Sequence, residues 1–296
     1  MALTNTLGGY SIGQIAQETI EPLMVAMFPF RAITTNFSDE IAQSGSTVAT
    51  RLPTLPTFAS LATGYSTNAQ NATLTSKTCT LGEPTGAVLG FSDFEYSVAS
   101  IDLGSTFIRP LVNGVANDAM DDVLALCTQA TFSTAAFTGA ASTFDSDDVS
   151  DLAKTLSNNN VPRDARFLIL EPDYINALRK DNALLANTYG GTENIRDGRV
   201  PRLFGFDVYE YSDVYDTANE VGFCGHKSSL LIASRVPAVP SNFPGEIATV
   251  TDPESGFSLQ IRRWYSADDG RHYLSAAAMW GVIAGNASAG ERLVSS

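Results

Sequence analysis

Three aspartates on one predicted helix are the residues of this sequence best suited to chemistry. Asp118, Asp121 and Asp122 are spaced so that the first and the last lie about one helical turn apart. Carboxylates in this arrangement can bind Mg²⁺ and would fit a Mg²⁺-dependent enzyme. Such an enzyme also needs a second acidic cluster facing the first and a deep apolar cavity, and the sequence shows neither. A solvated or salt-bridged helix face is therefore favoured, and the Mg²⁺-dependent enzyme stays as an alternative.

A second acidic run follows the same helix. Asp145, Asp147, Asp148 and Asp151 resemble a calcium-binding loop only loosely, because the required glycine and terminal glutamate are missing. Carboxylates at the start of a helix cap its free N–H groups and interact favourably with its dipole. This run predicts a helix N-terminus rather than a metal site.

No other group of residues has the pattern of an active site. His226 and His272 have no carboxylate or cysteine neighbours at ligand spacing. The sequence has no Walker, GxGxxG, HExxH or CxxC motif. Its one GxSxG match, at residues 9–13, has no apolar strand before it and so lacks the strand-to-helix turn that a nucleophilic serine needs. We therefore expect neither catalysis, nor a cofactor, nor a bound metal.

The composition favours a protein that covers much of its surface with other protein. Only 17% of the 296 residues are charged, below the roughly 25% usual for soluble domains, and 44% are hydrophobic. A globular protein rich in small residues is the alternative. The formal net charge of −14 argues against sequence-specific nucleic-acid binding, since the basic residues are not clustered beyond the adjacent pairs Arg179–Lys180 and Arg262–Arg263.

Cysteine usage and hydropathy exclude two further classes. Cys79, Cys127 and Cys224 are too widely spaced for a disulfide framework or a zinc site, and they fit a reducing compartment. Residues 1–13 lack the regions of a signal peptide. No apolar run approaches the ~20 residues of a membrane span, so we expect no membrane association.

One long helix is the strongest structural prediction. Residues 105–131 place one set of apolar side chains within half of a helical wheel, and Pro110 fits the first turn. The predicted buried set is Ile108, Leu111, Val112, Val115, Ala116, Ala119, Val123 and Leu126, with Asn113, Asn117, Asp121 and Thr128 opposite.

The chain before this helix predicts extended structures. Residues 11–27 form a short amphipathic helical leader, which could dock on its own domain or on a neighbour. Residues 45–53 predict a strand, and 72–81 and 87–98 return as β-prone runs after a polar tip at 54–71. This long hairpin has too few large apolar residues for a core of its own and would be stable only when laid on another surface.

The chain after the helix alternates helices and strands. An α/β part of about a hundred residues is followed by a strand pair at 256–285, whose turn is the Asp-Asp-Gly at 268–270. The alanines at 276–278 leave a helix there as an alternative. The predicted pieces of the α/β part are a linker at 134–143, a helix at 145–156, a strand at 166–170, a helix from 171, a loop at 187–194, and strands at 200–211 and 221–236.

This ordered series resembles the major capsid protein family of tailed bacteriophages, with the Hong Kong 97-type fold that encapsulin shells share. IAQETIEPLMVAMF looks like the family's N-terminal arm, and GSTVATRLP resembles the entry to its extended loop. STFIRPLVNGVANDAMDDVLALC is similar to its spine helix, and FDSDDVSDLAKTLSNNNVPRDARFLILEPDYINALRK to the start of its axial domain. RVPRLFGFDVYEY, GFCGHKSSLLIASRVP and SGFSLQIRRWYSADDGRHYLSAAAMWGV follow in family order.

The resemblance implies an α+β fold with a peripheral domain, built from the spine helix and a long β-sheet, and an α/β axial domain. The implied segments are an N-terminal arm at 1–40, an extended β-hairpin loop at 41–99, the spine helix at 100–134, the axial domain at 135–240, and returning strands of the peripheral domain at 241–296.

The implied function is self-assembly into hexamers and pentamers of an icosahedral head shell around double-stranded DNA, with an encapsulin-type compartment as the alternative. The chain would reside in the virion after assembly in the host cytoplasm. A scaffolding protein and a portal are implied partners, and a decoration or cement protein stays open. Either the scaffold is a separate protein or a propeptide was removed before residue 1, and Met1 favours the separate scaffold. Some relatives cross-link a loop lysine to an asparagine; Lys77 and Asn286 lie in the right regions, but no local motif matches.

The resemblance also implies residues that contact neighbouring subunits. The expected inter-subunit contacts are Ile12, Ile15, Leu23, Met27, Arg51, Leu52, Thr73, Thr75, Lys77, Tyr189, Arg262 and Trp264.

Overall fold

The structure is a computed structural model that describes residues 19–20, 23–24, 27–35, 47–53, 60, 69, 74–98, 103–132, 135–181, 202–212, 219–239 and 241–296. The strands are β1 (Thr34–Thr35), β2 (Thr47–Pro53), β3 (Leu74–Thr80), β4 (Thr85–Ser92), β5 (Ala135–Thr138), β6 (Arg166–Leu170), β7 (Arg202–Leu203), β8 (Phe206–Glu210), β9 (Glu220–His226), β10 (Leu230–Arg235), β11 (Glu246–Thr251), β12 (Ser258–Ser266), β13 (Arg271–Ala284) and β14 (Gly290–Val294). The helices are α1 (Asp93–Val98), α2 (Leu103–Leu124), α3 (Ser146–Asn158) and α4 (Pro172–Lys180), with short 3-10 turns at Phe28–Ala32, Ala141–Thr143 and Ala287–Ala289.

The first sheet, which we call the long sheet, is organised around β13. The order is β1-β10-β13-β12-β11, and β4 also pairs with β13. The second half of β13 pairs with β10, and the first half pairs with β12 and β4. The predicted strand pair at 256–285 is confirmed, and its turn contains Gly270 at φ +60°, which a glycine adopts without steric cost. The alternative of a helix at 276–278 is wrong, because these alanines lie within β13.

Helix α2 packs against this sheet, and its buried face agrees with the predicted one. Seven of the eight predicted side chains are buried, and the eighth, Leu126, is partly buried. Asn113 and Asn117 are exposed on the opposite side. The placement of Pro110 in the first turn is wrong: because the helix begins at Leu103, Pro110 is its eighth residue, within the helix.

The second sheet, which we call the α/β sheet, has the order β5-β14-β9-β6-β8-β7. All five residues of β6 are buried, as predicted for residues 166–170. Helices α3 and α4 also begin where predicted. Asp145 caps α3 through the N–H groups of Asp147 and Asp148, with Asp148 bonding back, and Pro172 occupies the first turn of α4.

Three predictions about these elements are wrong. The predicted linker at 134–143 contains β5, because β14 supplies it with a parallel partner. The β-prone run at 87–98 ends at Ser92, where Glu95 bonds back to the N–H and hydroxyl of Ser92 and α1 begins. The run at 221–236 divides between the two sheets, since β9 joins the α/β sheet and β10 joins the long sheet.

The predicted hairpin is present as a separate two-stranded sheet. β2 pairs with β3 in antiparallel register from Thr47 opposite Thr80 to Pro53 opposite Leu74. The return strand β4 belongs to the long sheet instead. At the base of the hairpin, Cys79 and Leu81 pack with Ala233 of β10, so the hairpin leaves the body at that point.

The segment at 27–35 is part of the body of the protein. Phe30 and Ile33 are almost fully buried, and β1 pairs in parallel with β10. Phe28 contacts Tyr209 of the α/β sheet at 5.2 Å between ring centroids, while Phe30 contacts Phe257 beside the long sheet at 5.8 Å. This segment therefore lies between the two sheets and joins them. Residues 11–18 of the predicted leader and the predicted loop at 187–194 fall outside the described residues.

Candidate functional site

Two of the three aspartates of α2 accept hydrogen bonds from aromatic side chains. The Tyr211 hydroxyl donates to Asp121 Oδ1 at 2.9 Å, and Trp280 Nε1 donates to Asp122 Oδ2 at 2.7 Å. Asp118 is exposed, and its carboxyl pKa is raised by partial burial and by the negative charge of Asp122. The described residues contain no group of three His, Cys, Asp or Glu side chains placed to hold a metal ion. The arrangement that exists here is a junction between a helix and two sheets.

The other titratable residues singled out in the sequence have local partners. His226 contacts the Ser228 hydroxyl at 2.8 Å through Nδ1, and burial lowers its pKa. His272 Nε2 lies 3.4 Å from Asp93 Oδ1, next to the Tyr265 hydroxyl, which donates to the other Asp93 oxygen at 3.1 Å. This exposed cluster fastens the turn of the β12–β13 hairpin to α1.

Cys79, Cys127 and Cys224 are buried free thiols, and burial raises the pKa of each. Burial therefore keeps all three in the thiol form, which is neither a nucleophile nor a metal ligand. None of the described helices is long and apolar enough to span a membrane.

Two buried arginines were not found by sequence reasoning. Arg292 Nη1 pairs with Glu220 Oε1 at 2.9 Å, and its Nε donates to the Phe132 carbonyl at 2.7 Å. The pair connects β14 and β9 to the chain just after α2. Arg166 donates to the carbonyls of Ala153, Val161 and Pro162 and to the Ser157 hydroxyl, so it caps the C-terminal end of α3. A lone arginine in an apolar strand, as in Arg166-Phe-Leu-Ile-Leu, was the available signal.

The predicted inter-subunit contacts fall into three groups. Leu23 and Met27 have no exposed surface and belong to the core of their own chain, so their prediction as contacts is wrong. Ile12, Ile15, Thr73 and Tyr189 lie outside the described residues. Arg51, Leu52, Thr75 and Lys77 lie on the hairpin strands, and Arg262 and Trp264 lie on β12.

Trp264 belongs to an aromatic row on β12, β13 and the segment before β11. Its ring stacks on Tyr273 at 5.1 Å and meets Phe243 edge-on at 5.9 Å, with the Arg262 guanidinium 5.9 Å from the Phe243 ring. All four side chains are partly exposed. Aromatic and arginine side chains in such rows are frequent at protein interfaces, and this row stays a predicted contact surface.

A second apolar surface was missed by the sequence analysis. Phe94 is 75% exposed and Val98 is 66% exposed, one helical turn apart on α1, and Val88 on β4 is 58% exposed. The sequence signal was the spacing of four between Phe94 and Val98, which was assigned to a strand instead of a helix.

No protein-family model matches the sequence, and no curated protein is significantly similar to it. Comparison with solved structures gives a different result. A chain of Mycobacterium phage Che8 matches with a TM-score of 0.65 at 18% identity, over 88% of this chain and 89% of that one. The capsid structure of the cyanophage P-SCSP1u matches with a TM-score of 0.63 at 12% identity, over 90% and 86%.

A virus-like particle from Pyrococcus furiosus also matches, with a TM-score of 0.55 at 9% identity over 95% of this chain and 98% of that one. At these identities the likeness establishes the fold. The chain therefore has the mixed helix-and-sheet fold found in phage capsid structures, as the sequence predicted.

Proposed function

We propose that this chain is the major capsid protein of a tailed bacteriophage and that many copies self-assemble into an icosahedral head shell around double-stranded DNA. The observation that carries the proposal is the fold match to phage capsid structures, which covers nearly the whole length of both chains. The Hong Kong 97-type assignment and the division into peripheral and axial domains belong to the same proposal. The role is structural, and none of the described side chains is assigned to catalysis.

The β2–β3 hairpin supports self-association. Its two strands pair only with each other among the described strands, and it leaves the body at Cys79 and Leu81. An isolated two-stranded hairpin is marginally stable in water. The surface of a second copy would cover it and complete its packing.

The exposed apolar surface of β4 and α1 gives a second contact between copies. Monomeric proteins rarely leave large apolar side chains clustered in solvent, because burying each one contributes about 1.5–3 kcal/mol. We assign Phe94 and Val98 to an interface with a second copy. The aromatic row around Trp264 is the other proposed interface.

Assembly would be non-covalent, with the same contacts repeated by symmetry in hexamers and pentamers. We assign the N-terminal arm to the residues before Thr19, because Leu23 and the segment at 27–35 support the subunit core. A scaffolding protein and a portal are proposed partners, a decoration or cement protein stays open, and the mature location is the virion after assembly in the host cytoplasm.

The net charge of −14 would keep the enclosed DNA from adhering to the shell. On the assembled particle we expect an inner wall that is neutral or acidic. A strongly basic inner wall in a cryo-EM map would contradict this part of the proposal.

The test is to purify the expressed chain and to image it by negative stain, with analytical ultracentrifugation over a range of concentrations. Closed particles of uniform size are the expected result. A compact monomer at every concentration would overturn the proposal.

A compartment that encloses protein cargo is the second candidate, because the Pyrococcus furiosus virus-like particle has the same fold. Particles recovered from the native host distinguish the two functions. DNA inside them would select the phage head, and protein cargo would select the compartment.

A further inference from the structure

Two neighbouring carboxylates of α2 reach two different sheets. Successive residues of a helix point about 100° apart, because one turn takes 3.6 residues. Asp121 accepts the hydroxyl hydrogen bond of Tyr211, which follows β8 of the α/β sheet. Asp122 accepts the indole hydrogen bond of Trp280, which lies on β13 of the long sheet. The helix thus holds one aromatic side chain from each sheet.

Both aromatic residues are fixed within their own sheets. The Tyr211 N–H donates to the Leu170 carbonyl at 3.1 Å, which continues the pairing of β8 with β6. Trp280 pairs with Ser234 in the register of β13 with β10. Each side-chain hydrogen bond therefore ties the position of a whole sheet to the same point on α2.

The segment at 27–35 adds an ion pair between Arg31 Nε and Glu254 Oε2 at 2.6 Å, together with apolar contacts on both of its sides. Phe28 packs on Tyr209, and Phe30 packs on Phe257, on the two sides of the segment at 27–35. Apolar packing tolerates small rearrangements of shape, whereas a hydrogen bond weakens steeply when its angle changes. The two hydrogen bonds of α2 are therefore directional contacts that reach both sheets from one helix.

We propose that the Asp121–Tyr211 and Asp122–Trp280 hydrogen bonds set the angle between the two sheets and through it the diameter of the assembled shell. This inference rests on the proposed function. In a closed symmetric assembly every copy repeats the same contacts, so a change in subunit shape either changes the radius or prevents closure. Asp121 and Tyr211 are positioning residues, and their effect reaches the subunit interfaces through the orientation of the sheets.

Tyr211→Phe removes the bridging hydroxyl and keeps the ring. Tyr174→Phe is the matched control, because the Tyr174 hydroxyl donates to the Gly139 carbonyl at 2.8 Å within the α/β part and joins no second sheet. Both variants and the unaltered chain are assembled under the same conditions, and particle diameters are measured by cryo-EM. Circular dichroism checks that each variant is folded.

We expect one diameter for the unaltered chain and for Tyr174→Phe, and a shifted or broadened distribution or loss of closure for Tyr211→Phe. Asp121→Asn should reproduce the shift if Tyr211→Phe does not fold. Equal diameters in all variants would overturn this inference alone, and so would the same change in Tyr174→Phe. Loss of folding in both bridging variants would also overturn it, because the pair would then act on stability. Absence of closed particles from the unaltered chain would overturn the proposed function as well.

Discussion

Trp280 Nε1 donates a hydrogen bond of 2.7 Å to Asp122 Oδ2 and so links β13 to α2. Asp122→Ala should lower the free energy of unfolding by about 1–3 kcal/mol, because the partly buried indole N–H loses its acceptor. The measurement is chemical denaturation of the unassembled chain. Asp118→Ala, one turn earlier, is the control and should cost little, since the fold disfavours the charge of Asp118. An equal loss in both variants would contradict the assigned role of Asp122.

The Arg292–Glu220 ion pair should be costly to break at one end. Only 6% and 2% of these side chains are exposed, so Arg292→Met would leave a buried carboxylate without its cation. We expect a loss of about 3–5 kcal/mol in the free energy of unfolding. The double variant Arg292→Met/Glu220→Leu should recover part of that loss in a urea-denaturation cycle, and strictly additive losses would exclude the coupling.

Glu291 predicts a pH dependence of stability. Burial raises the pKa of its carboxyl above the ordinary value of 4.5, while the hydrogen bond from Asn159 lowers it by less. The folded protein therefore binds this proton more tightly than the unfolded chain does. The contribution to stability is complete below about pH 4.5 and is lost as the pH rises through the raised pKa.

Glu291→Gln should consequently match the unaltered chain at low pH and exceed it in stability at neutral pH. The amide oxygen can still accept the hydrogen bond of Asn159. Denaturation curves at several pH values measure the difference between the two proteins, and a difference that does not change with pH would rule out this assignment.

Two glycines should respond in opposite directions to the same substitution. A Cβ at Gly114 of α2 meets nothing within 4 Å, so Gly114→Ala should raise the free energy of unfolding by about 1 kcal/mol through helix propensity. A Cβ at Gly281 of β13 would clash with the carbonyl oxygen of Thr80, the last residue of β3. Gly281→Ala should therefore lower the melting temperature. Stabilisation by both would show that β3 does not approach β13 so closely.

Phe94→Ser should reduce assembly without reducing the stability of the subunit. The side chain is 75% exposed in the single chain, so its removal leaves no cavity in the core. Phe94→Leu keeps an apolar surface and serves as the matched control. Sedimentation measures the assembled fraction, and unchanged assembly of the serine variant would remove Phe94 from the interface.

The parts of the fold that the sequence predicted are those determined by local spacing. The apolar spacing of α2, the cap at Asp145 and the Asp-Asp-Gly turn at 268–270 each depend on residues close together in the chain. The junction could not be predicted in this way, because Trp280 and Asp122 are 158 positions apart.

The wrong predictions concern residues whose partners are not shown by spacing and propensity alone. The residues of β5 have weak strand propensity and become a strand only beside β14. Phe94 and Val98 are β-prone residues, but the Glu95–Ser92 bonds start a helix there. Leu23 and Met27 have the spacing of an amphipathic leader, and that spacing cannot tell whether the apolar face meets its own core or another chain.

The position of β14 has a consequence for biosynthesis. This strand lies between β5 and β9 in the α/β sheet, and Arg292 stands opposite Ala135, more than 150 positions earlier in the chain. During synthesis the ribosome releases the partners of β14 long before β14 itself emerges. In a nascent chain stopped before residue 290, β5 and β9 would each have an unpaired edge, and unpaired edges promote aggregation. Only a chain translated through β14 can complete the strand pairing of the α/β sheet.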